Sequence, residues 1–137
     1  MTAAVIDSGV LYALFDRRDL WHARTVQFFK DPALDGVVPI TILGEVGYMV
    51  ERHLPHGASS ALADWLSLGR VQLEGVLPQD LRRMGALMVK YPKIGFVDAS
   101  VVAIAERLLI ETIATTDRRD FGAVRPSHAA RFTLVPQ

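Results

Sequence analysis

The chain has 137 residues, half of them hydrophobic, so it can bury one core without disulfide support, and we expect residues 1–137 to form a single domain. It contains no cysteine, which excludes disulfides, thiolate metal sites and a cysteine nucleophile. Its 15 basic and 15 acidic residues cancel, so a polyanionic partner would have to be held by local basic residues or by a metal.

Short apolar segments alternate with amphipathic segments along the chain. Apolar runs bounded by turn residues predict strands at residues 3–6, 37–40, 71–76, 110–116 and 132–135. Helical spacing predicts helices at residues 8–15, 20–30, 41–52, 58–68 and 79–89, and a last one that follows a loop at 91–95 and includes 98–109. Asp19 and Thr41 are the expected N-caps of the second and third helices, and Pro78 lies just outside the fifth.

This alternation predicts an α/β protein with three layers, α/β/α, around a central, mostly parallel sheet. Parallel neighbours need a crossover connection, and a helix is the usual one. In open sheets of this kind the ligand crevice lies beyond the carboxyl ends of the strands. Residues that follow strands or begin helices at that edge are therefore the first candidates for a site.

Four carboxylates occupy such positions. Asp7 and Asp117 follow predicted strands, while Glu45 and Asp98 lie near the starts of predicted helices. If these side chains converge, each close pair repels by roughly 4 kcal/mol at an effective dielectric constant near 20, unless protons or a cation relieve the repulsion. We therefore predict a divalent metal site.

The chemistry of such a site follows from its oxygen ligands. Carboxylates suit Mg²⁺ or Mn²⁺, which keep positions open for substrate. A cation of this kind lowers the pKa of a bound water and offsets charge that builds on a phosphoryl group, which favours phosphodiester hydrolysis without a protein nucleophile. Zinc is disfavoured, because the four histidines form no close metal-ligand motif.

Each acid also has a purely structural interpretation. Asp7 and Asp98 are each placed to cap a helix or to interact with its dipole. Asp117 and Asp120 flank Arg118 and Arg119, so they are also consistent with a polar turn that carries surface ion pairs. Only the joint placement of the acids favours a functional site.

Four segments carry a resemblance to a known family. They are ValIleAspSer at 5–8, GlyGluValGlyTyr at 44–48, PheValAspAlaSerValValAlaIleAla at 96–105 and ThrThrAspArgArgAspPhe at 115–121. In order and spacing the chain resembles PIN domains over essentially its whole length, especially the VapC-like toxins of bacterial toxin–antitoxin pairs. The resemblance implies a compact α/β/α fold, metal-dependent endoribonuclease activity with Mg²⁺ or Mn²⁺, a homodimer, and a cognate antitoxin whose tail covers the acidic crevice.

The family's motifs also assign roles to individual residues. Its four acids fall on Asp7, Glu45, Asp98 and Asp117, which the resemblance implies are catalytic and metal-binding. No acid is missing, so nothing indicates a noncatalytic form of the domain.

Three further positions match residues of secondary importance. Asp120 matches an additional acid that tunes metal occupancy, and Ser8 and Thr116 match hydroxyl positions that order the acids or a water.

RNA contacts must be local in a neutral chain. Arg118 and Arg119 are the best candidates because their neighbours belong to the proposed site. The other basic residues near the expected crevice are Arg17, Arg18, Arg24, Lys90 and Lys93. Aromatic residues can either stack on bases or pack in the core, and for Tyr12, Phe15, Trp21 and Tyr91 we favour packing.

Two rival functions are consistent with part of this pattern. A phosphoacceptor receiver domain needs paired acids after its first strand, whereas Ser8 follows Asp7 here. A noncatalytic module that binds RNA or protein would keep the fold and the acids but show no turnover.

The apolar residues of the first two helices suit either an interaction surface or the core. They are Leu11, Leu14, Phe15, Trp21, Phe28 and Phe29.

The N-terminal sequence lacks the basic start and long apolar segment of a signal peptide. No apolar run approaches the roughly 18–20 residues of a membrane span. We expect a soluble, cytoplasmic protein with no membrane partner.

Overall fold

The structure is a computed structural model that describes residues 2–137. A central sheet is flanked by helices, as the alternating pattern predicted. Its strands are β1 (Thr2–Ile6), β2 (Leu34–Pro39), β3 (Val71–Glu74), β4 (Thr112–Ala114) and β5 (Thr133–Val135). Its helices are α1 (Ser8–Phe15), α2 (His22–Phe29), α3 (Ile40–His53), α4 (Ala58–Ser67), α5 (Pro78–Lys90), α6 (Phe96–Arg107) and α7 (Arg118–Ala123).

All strand pairs are parallel, and the strand order is β3-β2-β1-β4-β5. The chain adds β2 and β3 on one side of β1 and then β4 and β5 on the other, so the order reverses between β1 and β4. Such a switch point leaves a crevice beyond the carboxyl ends of the two strands. Asp7 and Asp117 follow these two strands, so the topology itself places them at the crevice.

Several predicted boundaries were wrong for local physical reasons. Strand β2 begins at Leu34 rather than residue 37, because Asp35 and Gly36, which resemble a turn, are paired with β1. The strand ends at Pro39, and Ile40 already belongs to α3. Thr41 is therefore not the N-cap, and its hydroxyl instead forms a hydrogen bond with Ser100 Oγ at 2.6 Å.

Other differences concern helix starts. Asp19 accepts a hydrogen bond from the backbone N–H of Trp21, which is the actual cap residue of α2. Pro78 is the first residue of α5, where its missing N–H costs no hydrogen bond. Helix α7 was not predicted, because its six residues are too few to show a period.

The core lies between the sheet and the central helix α6, of which residues 99–106 are all buried. Phe15, Phe28 and Phe29 of the first two helices pack against this core rather than forming a free surface. Phe15 and Phe29 both pack edge-on against Trp65 of α4, with ring centroids 6.1 and 5.3 Å apart. Phe28 also packs against the core.

A charged cluster joins the far end of α6 to β3 and α5. Arg107 Nε donates to the carboxylate of Asp80, and its Nη1 donates to Glu74 at 3.0 Å. Asp80 is buried and also accepts from the N–H of Leu77. Because a buried carboxylate needs partners, this cluster fixes the start of α5 against α6.

In residues 2–137, no helix combines the length and apolar character that a membrane crossing needs.

Candidate metal centre

Asp7 is held rigidly at the end of β1. Its backbone N–H donates to the carbonyl of Ala114 at 2.8 Å, which continues the ladder between β1 and β4. Its Oδ1 accepts from the N–H of Ser8 at 2.7 Å, so Asp7 is the N-cap of α1. Its Oδ2 accepts from Thr115 Oγ1 at 2.9 Å. With only 4% of its surface exposed, Asp7 has one fixed orientation.

One hydroxyl group connects two of the acids. Thr115 is fully buried, and its Oγ1 donates to Asp7 while accepting from the backbone N–H of Asp117 at 2.9 Å. The sequence had suggested Thr116 for this ordering role, but the structure gives these contacts to its neighbour. Thr116 Oγ1 lies against α1, where a Cβ added at Gly9 would be 2.3 Å away.

Ser8 orders Asp7 through its backbone rather than through its side chain. The Ser8 hydroxyl lies 3.5 Å from Asp7 Oδ1, which is long for an O–H···O hydrogen bond. The N–H contact at 2.7 Å is much shorter. The shorter contact to Asp7 thus comes from the Ser8 backbone, and a role of the Ser8 hydroxyl in ordering a bound water stays a prediction.

Three carboxylates form the tightest group. Asp98, Asp117 and Asp120 each contribute one oxygen, and these oxygens lie within 4.8 Å of one another. Asp98 is in the first turn of α6, Asp117 is the N-cap of α7, and Asp120 is in the first turn of α7. The N–H of Asp120 donates to Asp117 Oδ1 at 3.2 Å. The sequence had ranked Asp120 below the four principal acids.

Five acids interact electrostatically at this site, namely Asp7, Glu45, Asp98, Asp117 and Asp120. Burial raises the pKa of Asp7, and the charges of Glu45 and Asp117 add to the effect. Burial also raises the pKa of Asp98 to about 7, with further contributions from Asp7, Asp117, Glu45 and Asp120. Glu45 is exposed on α3, yet its charge acts on both groups.

The donor set fits a hard divalent cation. Every candidate ligand is a carboxylate oxygen, which is the donor that Mg²⁺, Mn²⁺ and Ca²⁺ prefer. Burial, with added repulsion from the neighbouring acids, raises the pKa of Asp98, and a bound cation would favour the charged form of this carboxyl group. Asp98, Asp117 and Asp120 would hold such an ion directly, and Asp7 and Glu45 border them.

The two predicted RNA-binding arginines differ in their surroundings. Arg118 donates from Nη1 to the carbonyl of Leu134 at 3.2 Å and from Nη2 to the carbonyl of Pro136. Its guanidinium also lies 5.0 Å from the ring centroid of Trp21. Arg118 thus ties α7 to the end of β5, whereas Arg119 is exposed.

Comparisons with known proteins agree with this geometry. The model of the PIN domain family matches residues 4–125. Ribonuclease VapC26 of Mycobacterium tuberculosis is 31% identical over 134 residues, which span 96% of this chain and 99% of that protein.

Two solved structures share the fold. VapC20 of Mycobacterium tuberculosis, a sarcin–ricin loop cleaving toxin, has a TM-score of 0.77 at 19% identity and covers 85% of this chain and 91% of its own. A chain of a toxin–antitoxin complex from Klebsiella pneumoniae has a TM-score of 0.69 at 19% identity. The match covers 88% of this chain and 92% of that chain.

Replacing Thr115 with valine should loosen the site, because the bridging hydroxyl is lost while the side-chain volume is kept. We expect the free energy of unfolding to fall by roughly 1–3 kcal/mol, the cost of leaving buried hydrogen-bonding groups unpaired. Mn²⁺ should also bind more weakly in calorimetric titrations. Thr116→Val is the matched control and should have a smaller effect. Equal effects of the two variants would contradict the bridging role of Thr115.

Replacing Asp98 with asparagine should stabilise the metal-free protein at alkaline pH. The folded pKa of Asp98 is about 7, well above the ordinary value of 3.8. The folded state therefore binds more protons between these values, and the free energy of unfolding falls as the pH rises through this range. Above it, Asp98→Asn should be more stable than the wild type by roughly 1–3 kcal/mol, after allowance for solvent screening.

Urea unfolding in EDTA at about pH 5 and about pH 8 measures this difference. Asp64→Asn, which removes an exposed acid from α4, is the control and should leave the pH dependence unchanged. A variant of Asp98 that is less stable than the wild type at the higher pH would show that the acids do not repel one another.

Proposed function

The chain belongs to the PIN domain family, and on that premise we propose that it is a metal-dependent endoribonuclease, the toxin of a toxin–antitoxin pair. The observation that carries the proposal is the cluster of carboxylates at the switch point of the sheet. The identity of 31% with ribonuclease VapC26 over nearly the whole chain supports the same activity.

We assign catalytic and metal-binding roles to Asp7, Glu45, Asp98 and Asp117, and we add Asp120 to the metal-binding group. Mg²⁺ or Mn²⁺ is the proposed ion, because both prefer carboxylate oxygens and exchange part of their water shell for substrate. When bound, it would polarise the phosphoryl group and lower the pKa of a water that attacks the phosphodiester.

The protein's own residues prepare this chemistry. The hydrogen bonds from Ser8 and Thr115 fix both oxygens of Asp7, so it need not reorient during the reaction. Asp98 holds a proton near neutral pH when no cation is present, and it would release that proton when one binds. Glu45 is the exposed member of the five acids, so its carboxylate is accessible to solvent and to substrate.

The proposed partners follow from the family. We propose an antitoxin that binds this chain, supported by the similarity of its fold to a toxin–antitoxin complex from Klebsiella pneumoniae. A homodimer is proposed as well, together with a cytoplasmic location, where RNA substrates are available. Light scattering after size-exclusion chromatography would measure the mass, and a monomer at micromolar concentration would exclude the dimer.

Cleavage of RNA is the direct test. Purified protein supplied with Mg²⁺ or Mn²⁺ should cut RNA internally, and EDTA should abolish the activity. Asp7→Asn and Asp98→Asn should each lower kcat roughly 100-fold or more, because charge stabilisation by a held cation is worth several kcal/mol. The exposed control Asp64→Asn should keep full activity.

Two results would contradict this function. One is the absence of cleavage in a broad panel of RNAs; the other is unchanged cleavage in both variants. RNA binding without turnover would instead favour the noncatalytic module. Mapping the cut ends in total RNA after induced expression would identify the substrate.

Arg119 and Arg118 should affect RNA binding differently. Arg119→Ala should weaken binding and reduce the slope of log affinity against log salt by about one, as expected for the loss of one phosphate contact. Arg118→Ala should lower thermal stability but leave the salt slope unchanged, since its guanidinium is already bound to the carbonyls of Leu134 and Pro136. Fluorescence anisotropy with labelled RNA, in an Asp7→Asn background that slows cleavage, measures both slopes. A change in slope for Arg118→Ala alone would reverse the assignment.

A further inference from the structure

A small apolar cavity borders the acid cluster. Its walls come from the loop after α5 and from the end of α7, and Tyr91, Pro92, Ile94 and Ala123 are among the lining residues. Asp120, one of the three clustered carboxylates, forms one edge of it. The cavity and the candidate metal centre therefore share a wall.

The cavity is preformed rather than a gap between mobile side chains. Ile94 is buried in the core, and its N–H donates to the carbonyl of Tyr91 at 3.0 Å. The hydroxyl of Tyr91 accepts a hydrogen bond from the N–H of Arg125 at 3.1 Å, which fixes the far end of the ring. Pro92 further restricts this loop. A ligand would thus find a rigid wall and would lose little affinity to reorganisation.

Positive charge lies at the rim. Lys90 and Lys93 are exposed and both line the cavity, and Lys90 Nζ lies 5.5 Å from the centroid of the Tyr91 ring. Apolar walls, two lysines and a neighbouring cation site make a combination that suits one kind of ligand. Such a ligand carries negative charge that interacts with the lysines and a flat apolar group that packs against the walls.

The size of the cavity limits the flat part. Its volume is about 210 Å³, smaller than the roughly 300 Å³ at which pockets for drug-sized ligands begin. A single nucleobase is of the right scale, and an aromatic wall is the usual platform for an unpaired base. An acidic peptide without an aromatic side chain would use the lysines but would leave the apolar wall without a planar partner.

We propose that this cavity is a nucleobase subsite, which receives the base next to the phosphate that lies at the acid cluster. The inference rests on the proposed function for its substrate class, and it adds a source of sequence preference at the cut. Tyr91 contributes the aromatic surface, Ala123 leaves the space, and Lys90 and Lys93 contact flanking phosphates.

Binding of mononucleotides tests the subsite without turnover. The probes are AMP, GMP, CMP and UMP, with ribose 5-phosphate as the ligand that lacks a base, all in Mg²⁺ buffer. In nitrogen-15 NMR titrations, at least one nucleotide should shift the amide signals of Ile94 and Ala123, and ribose 5-phosphate should not. Shifts of these signals by ribose 5-phosphate equal to those of every nucleotide, or no shifts with any nucleotide, would overturn the proposal.

Filling the cavity should weaken that binding. Ala123→Leu should reduce the affinity for the preferred nucleotide roughly fivefold or more, the lower end of what stacking of a base contributes. Ala61→Leu makes the same change at an exposed position on α4 and should have no effect. Lys93→Ala, at an exposed position, should weaken nucleotide binding and reduce its salt dependence. Unchanged nucleotide affinity in both Ala123→Leu and Lys93→Ala would overturn the subsite.

The outcomes separate this inference from the proposed function. If nucleotides bind as described but no RNA is cut, the subsite stands and the ribonuclease proposal fails. If RNA is cut and Ala123→Leu leaves the profile of cut positions identical to that of the wild type, the ribonuclease proposal stands and the subsite fails.

Discussion

Repulsion among carboxylates at one end of the sheet is the constraint on which the rest of the site depends. Two unit charges about 4 Å apart repel by roughly 4 kcal/mol at an effective dielectric constant near 20, and three of the acids have oxygens within 4.8 Å of one another. The fold maintains this arrangement because the acids are attached to elements that cannot separate, namely the ladder between β1 and β4 and the starts of α6 and α7. Burial and this repulsion together raise the pKa of Asp98.

Helix starts reduce part of that cost. Asp7 and Asp117 are N-caps, and Asp98 and Asp120 lie in first turns, where backbone N–H groups and the positive end of the helix dipole favour negative charge. The structure confirms the helix-start positions of these acids, and those positions are compatible with the proposed functional role. A cap position supplies a carboxylate that is already oriented, and the switch point of the sheet gathers several such positions.

The acid cluster has a support side, which packs against the rest of the protein, and an open side, which faces solvent. On the support side, Arg118 binds the carbonyls that follow β5 and lies over Trp21, so α7 cannot rotate away from the sheet. On the open side, Arg119 is exposed, as are Lys90 at the end of α5 and Lys93 in the loop that follows, which both line the apolar cavity. The basic residues near the site therefore have different roles. Arg118 stabilises the fold, whereas Arg119, Lys90 and Lys93 are exposed and can contact a phosphate. This division explains how a chain with no net charge can still present a local basic rim.

The sequence by itself determined the alternation of strands and helices and the positions of the acids, because apolar periodicity, caps and strand ends are local properties. It did not determine which of two adjacent threonines meets Asp7. Successive side chains in an extended segment point to opposite sides, and the register of Ile6 with Ala114 selects Thr115. Nor did the sequence determine that Arg118 rather than Arg119 binds backbone carbonyls, or that Asp120 belongs to the tightest group of acids. Both points depend on how the short helix α7 packs against its neighbours. Tertiary structure decided these points because they concern distances between residues far apart in the chain, which no local pattern encodes.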